Sequence, residues 1–286
     1  MTETIDDLLG EGTTPAVEVT EPVLTQEQPT EAAPEFAAAV AEADDILDAL
    51  MARIGTAETT NQYLRVMLYG PPGVRKTTFS AGSPRPLIYE VDAGGSKSLL
   101  NHPDLRNTPV LPFKSMNQCE VLIQKLGENN KLSETVDTLV IDTFSELQIK
   151  DLDRIVQDAA AKDASRNKFL PIGPDYNINT EHMRQIADNL RNLPKHVIIT
   201  CHVKEEKDDS TGRVLIRPNL TPKLARTMAG MFDVVGYMNV DGDNWTLQVH
   251  PTTSVSAKTR LGGLPPVIND PTFQMLLDAL STRTGE

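Results

Sequence analysis

Residues 64–81 read LRVMLYGPPGVRKTTFSA. An apolar run leads into a Gly-Pro turn, and a basic, polar helix start follows at once. Such a strand-turn-helix unit cannot close on itself. Its helix carries the chain back across the sheet, so the next strand enters parallel and the chain is committed to alternating strands and helices. The turn has a second property. Gly70, Lys76 and Thr77 fit the pattern G-x-x-x-x-G-K-[ST], but Arg75 occupies the position of its second glycine.

In a loop of this pattern, here Gly70, Pro71, Pro72, Gly73, Val74, Arg75, Lys76, Thr77 and Thr78, the backbone wraps a nucleotide's phosphates. The lysine bridges the β- and γ-phosphates, and the Thr77 hydroxyl is a ligand for Mg²⁺. ATP and Mg²⁺ are the cofactors expected. The second glycine serves a sharp bend that a residue with a Cβ enters at a cost of about 1–2 kcal/mol. Arg75 therefore predicts a working but weakened site, with slow hydrolysis. Released strain in Arg75→Gly is expected to raise ATP affinity about tenfold.

The rest of the chain keeps the same grammar. Strands are predicted at 64–69, 87–92, 110–113, 137–142 and 196–201, with helices at 116–127, 144–161 and 179–192. After Cys201 come a hairpin turning at DDSTG, a helix near 221–230, two strands and a closing helix at 271–280. The fold class is α/β with a mostly parallel sheet and a C-terminal β-hairpin extension.

Three further elements carry chemistry. DTLVIDTFSEL ends an apolar strand in Asp142, a carboxylate placed to hold Mg²⁺; Thr143 and Glu146 form a capping box, which offers the acidic residues a purely structural use. HVIITCHVK brings His202 to a strand tip, where it could sense the γ-phosphate. In SVSAKTRLGG, Lys258 and Arg260 point the same way along an extended segment and could reach a neighbouring subunit's phosphate as an arginine finger does.

The net charge of -13 belongs to one end: residues 1–50 hold thirteen Asp and Glu and no Lys or Arg, which leaves 51–286 balanced. Rich in Glu, Thr, Pro and Ala, residues 1–56 are predicted to be a disordered acidic tail with one short amphipathic helix near 44–54, ahead of a domain at 57–286. No apolar run suits membrane insertion or secretion, so a cytoplasmic protein is expected. Cys119 and Cys201 lack partners at disulfide or metal spacing. Charge alone gives no footprint for nucleic acid.

The ordered set GPPGVRKTT, YEVDAGGSKSL, TLVIDTFSEL, DYNINTEHMRQIADNLRNLPKHVIITCH, RPNLTPKLARTMAGMFDVVGYM and AKTRLGGLPPVINDPTFQMLL resembles the phage-encoded RecA-like P-loop ATPases of the Sak group, over about Leu64 to Leu280. The resemblance implies a RecA-like core, self-assembly that completes the nucleotide site between subunits, and single-stranded DNA as partner in recombination or annealing. It also implies a single-strand-binding protein as a further partner. One departure concerns the water-activating Glu that such relatives often carry two residues after the Asp ending their second strand. Here that place is Gly94, leaving Asp92 or Glu90, of which Asp92 is nearer the strand tip. Arg75 is the other departure. Both favour an alternative, a nucleotide-gated DNA-binding module with little turnover. A small-metabolite kinase is a third reading, but it lacks an Arg-rich lid segment.

Overall fold

The structure, a computed structural model, describes residues 34–52, 54–55, 62–209 and 212–282. It divides into two units, Met1–Gly55 and Thr56–Glu286. In the first, Pro34–Met51 form helix α1. This helix starts about ten residues before the expected one: proline is favoured at a first helical position, and the alanines that follow are the strongest helix formers. Ile46, Leu47, Leu50 and Met51 on α1 are exposed. The disorder expected of the acidic tail falls mostly on residues 1–33, outside the described residues.

In the second unit the elements run β1 (Arg65–Tyr69), α2 (Lys76–Ala81), β2 (Pro86–Glu90), a 3₁₀ turn (Gly95–Asn101), β3 (Val110–Pro112), α3 (Met116–Gly127), α4 (Lys131–Thr135) and β4 (Thr138–Asp142). Then follow α5 (Phe144–Lys162), α6 (Gly173–Asn192), β5 (His196–Cys201), the hairpin β6 (Val203–Lys207) and β7 (Val214–Pro218), and α7 (Pro222–Met231). The chain closes with β8 (Val234–Asp241), β9 (Asn244–Gln248), β10 (Lys258–Thr259), β11 (Val267–Asn269) and α8 (Phe273–Ser281).

Among the described residues one nine-stranded sheet is ordered β11-β9-β8-β1-β5-β4-β2-β3, with β10 against β8. From β8 to β3 every pairing is parallel, and only β9, β10 and β11 join antiparallel. The α/β class is therefore as the sequence implies. Alternate strand residues serve opposite faces. Met67, Tyr69, Leu139, Ile141, Val197 and Ile199 pack with α3, α5, α6 and α7. Val66, Leu68, Val140 and Ile198 pack with α2, α8 and the 3₁₀ turn. Both faces are covered, which is why these strands read as unbroken apolar runs.

Most boundaries shift by a residue or two, and two of the shifts have a visible cause. β2 stops at Glu90 instead of Asp92, because the N–H groups of Val91 and Asp92 both turn to the Asp142 carbonyl, at 2.6 and 3.1 Å. α6 begins at Gly173, six residues early: Asp175 accepts the Ile172 N–H at 2.8 Å and pairs with Arg166 at 2.6 Å, so a Gly-Pro-Asp string that reads as a turn caps a helix instead.

Candidate nucleotide-binding site

Since β1, β2, β4 and β5 run one way, their C-terminal ends share an edge, and whatever follows each tip in sequence gathers there. The loop after Tyr69, Asp92, Asp142 with Thr143, and His202 all meet around one cavity of about 310 Å³. Pro72, Gly73, Arg75, Lys76, Thr77 and Thr78 form its loop wall, while Val74 is buried beneath it in the core.

The loop's geometry depends on two glycines. A Cβ on Gly70 would stand 2.2 Å from the Met238 carbonyl oxygen of β8, so only glycine lets the turn pass that strand. Gly73 has φ +83°. Lys76, nearly buried, donates from Nζ to the carbonyls of Gly70 at 2.9 Å and Pro71 at 2.8 Å, both within the loop that would wrap the phosphates. Burial lowers its pKa, against the raising influence of Asp142, Cys201 and Asp92. Burial also pushes the Cys201 thiol up to about 12, so this cysteine is an inert core residue.

Arg75 adopts the left-handed conformation, φ 64° and ψ 26°, that the second glycine of the pattern exists to supply. Its guanidinium lies over the Trp245 ring, 3.1 Å from the centroid. A contact of this kind contributes about 0.5–2 kcal/mol, comparable to the conformational cost. The contact with Trp245 thus offsets the strain on whose release the tenfold gain expected of Arg75→Gly rests.

Asp142 is held at both oxygens: Thr77 Oγ1 donates to Oδ2 at 2.7 Å, and Thr200 Oγ1 donates to Oδ1. The register explains the second bond. Ile141 pairs with Ile199, and Leu68 with Thr200, so Thr200 sits between the loop strand and the Asp142 strand. Thr77 and Asp142 together offer two hard oxygen donors side by side, the chemistry Mg²⁺ takes, and Gly95 leaves space beside Asp142 that a Cβ would narrow to 3.4 Å. These residues fit the ion. In the sequence, Thr200 is marked only by a lone hydroxyl in the apolar run VIITC.

The capping box expected of Thr143 and Glu146 is only half formed. Thr143 Oγ1 accepts the Glu146 N–H at 3.1 Å, whereas the Glu146 carboxylate faces His202, with Oε1 3.5 Å from Nε2. His202 lines the cavity, and its backbone N–H donates to Ser145 Oγ at 3.1 Å. Asp92 lines it too. Glu90 instead accepts the Ser96 N–H at 2.8 Å and fixes the 3₁₀ turn, and Gly94 has φ +95°, a conformation that a glutamate would enter only under strain.

Lys258 and Arg260 lie elsewhere. Lys258 Nζ donates to Ala229 O at 2.7 Å and Phe232 O at 3.0 Å; Arg260 pairs with Asp233 at 3.1 Å and donates to Gly230 O at 2.5 Å. Both satisfy carbonyls at the C-terminus of α7. Arg260 N bonds Asp233 O, and Asp233 N bonds Arg65 O, which places Arg260 at the edge where β1 begins, a strand's length of about 13 Å from the loop.

A parallel sheet with a glycine-turn lysine loop on β1, and an aspartate on a strand separated from it by β5, defines a P-loop nucleotide-binding domain. Residues 62–261 match the model of the AAA domain family, and the chain belongs to that family. No protein of curated function matches it. Domains of this family are generally ATPases and typically use ATP with Mg²⁺. Among the described residues no helix is long and apolar enough to cross a membrane.

Proposed function

We propose that this chain is an ATP-hydrolysing, RecA-like protein that acts on single-stranded DNA in phage recombination or annealing. The observation that carries the ATPase part is the convergence of Lys76, Thr77, Asp92, Asp142 and His202 on one cavity from four separate segments. The DNA part rests on the sequence resemblance to the Sak group, as does the single-strand-binding protein as a further partner. In this reading Lys76 binds the β- and γ-phosphates, and Thr77 and Asp142 hold Mg²⁺, which screens phosphate charge when bound. His202 reports the state of the γ-phosphate to Glu146 and to the β6–β7 hairpin that follows it directly.

Assembly enters through Lys258 and Arg260. They face away from the loop of their own chain, so the phosphate they can serve is that of another copy, in a head-to-tail array. A second reading, a nucleotide-gated DNA-binding module with little turnover, is favoured by Gly94, whose conformation excludes the expected base. Measuring ATP turnover with and without single-stranded DNA separates the two. DNA-stimulated hydrolysis supports the first; tight ATP binding and DNA-independent, near-zero turnover supports the second.

A further inference from the structure

Beside the phosphate cavity lies a second one of about 430 Å³, and Arg75, Thr78 and His102 line both. Its remaining wall is largely apolar and aromatic, with Phe79, Trp245 and Phe273. The two cavities thus adjoin at Arg75, Thr78 and His102. A charged cavity at a phosphate loop with an aromatic one adjoining it has the layout of a bound nucleotide, phosphates at one end and base at the other.

Arg75 is the unusual part. It stands where the motif has glycine, it stays exposed, and its planar guanidinium rests on the face of Trp245, the single tryptophan of the chain. The indole Nε1 is buried with no hydrogen-bond partner, so the ring's position is set by packing, Arg75 included. A planar cation with one face on an indole is a platform for a second flat ring on its other face.

We propose that Arg75 and Trp245 form the base-binding platform of this site: the purine ring of the nucleotide stacks on the face of Arg75 turned away from Trp245, where the two cavities meet, while its phosphates occupy the loop. The inference rests on the P-loop reading and adds a role to the residue that departs from the motif. Arg75 is a nucleoside-recognition residue here, and neither a defect in the loop nor a phosphate ligand.

Tripolyphosphate, which has the phosphates of ATP but no base, separates these roles. Titrations of ATP and of tripolyphosphate, both with Mg²⁺, are compared for the parent, Arg75→Gly, Arg75→Lys, Trp245→Leu and Lys76→Ala. Arg75→Gly restores the motif's own glycine and so keeps the loop intact; a melting curve checks Trp245→Leu. The expected result is that Arg75→Gly and Arg75→Lys each weaken ATP about tenfold, in line with a stacking contribution of this class, and change tripolyphosphate less than twofold. ATP should also shift the Trp245 fluorescence where tripolyphosphate does not. Three results overturn the proposal: unchanged ATP affinity in the Arg75 variants, equal weakening of both ligands, or an Arg75→Lys variant that behaves as the parent, which would make Arg75 a charge for phosphate. Failure of Lys76→Ala to weaken either ligand would instead remove the P-loop reading itself.

Discussion

Thr200→Val removes one hydroxyl and almost no volume. Thr200 is fully buried in β5, and its Oγ1 donates to Oδ1 of Asp142, which is only 4% exposed. Valine fills the same space, so no cavity term arises, and what is lost is one hydrogen bond to a carboxylate, leaving that oxygen without its donor. The cost of such a loss is about 2 kcal/mol. In a domain of this size that is a fall of roughly 4–8 °C in melting temperature. The second consequence is specific to the site. With one of its two holds gone, Asp142 is free to turn from Thr77, so ATP affinity should fall in Mg²⁺ and be unaltered in EDTA. Calorimetric melting and ATP titrations in both conditions give the readout, with Thr200→Ser, which keeps the hydroxyl but loses a buried methyl, as the variant expected to keep the parent's Mg²⁺ dependence. A Thr200→Val protein with the parent's melting temperature and the parent's Mg²⁺ dependence would refute the reasoning.

Other consequences can be checked separately. Gly70→Ala puts a Cβ 2.2 Å from the Met238 carbonyl and should lower stability by about 1–3 kcal/mol in denaturant unfolding; an unchanged midpoint would mean that β8 yields easily. His182 bonds Asp151 at 2.8 Å and Glu120 at 2.9 Å, and the bond to Asp151 foremost raises its pKa above the ordinary histidine value. The fold therefore favours the protonated form, whose stabilisation is complete below about pH 6.5 and is lost as pH rises through the raised value. His182→Gln should accordingly cost more stability at pH 6 than at pH 9, and an equal cost at both would contradict this. Arg260→Ala should reduce hydrolysis with little change in ATP affinity, and activity should return on mixing with Lys76→Ala subunits. If mixed assemblies form and stay inactive, the shared site is wrong.

Much of the fold was legible because its strands are doubly buried and its motifs sit at strand tips. The order of apolar runs located β1, β4 and β5, and parallel pairing then brought Lys76, Asp142 and His202 together with no further information. What was missed depended on contacts between distant segments. Trp245 meets Arg75 only because β9 folds back against β8, and nothing local to either residue signals it. Thr200 reads as a strand residue until register sets it against Asp142. β2 ends two residues short of its apolar pattern because its tip is claimed by the Asp142 carbonyl, a competitor outside the strand's own sequence. Alternation puts Lys258 and Arg260 on one side, but the α7 carbonyls that bind them are not visible from alternation alone.

The most direct test of the account is equilibrium binding of ATP in Mg²⁺ to the parent and to Lys76→Ala. One ATP per chain is expected for the parent and a loss of at least a hundredfold for the variant, about 2.7 kcal/mol, with the variant still folded at the temperature of the titration. Equal ATP affinity in a folded Lys76→Ala protein would contradict it.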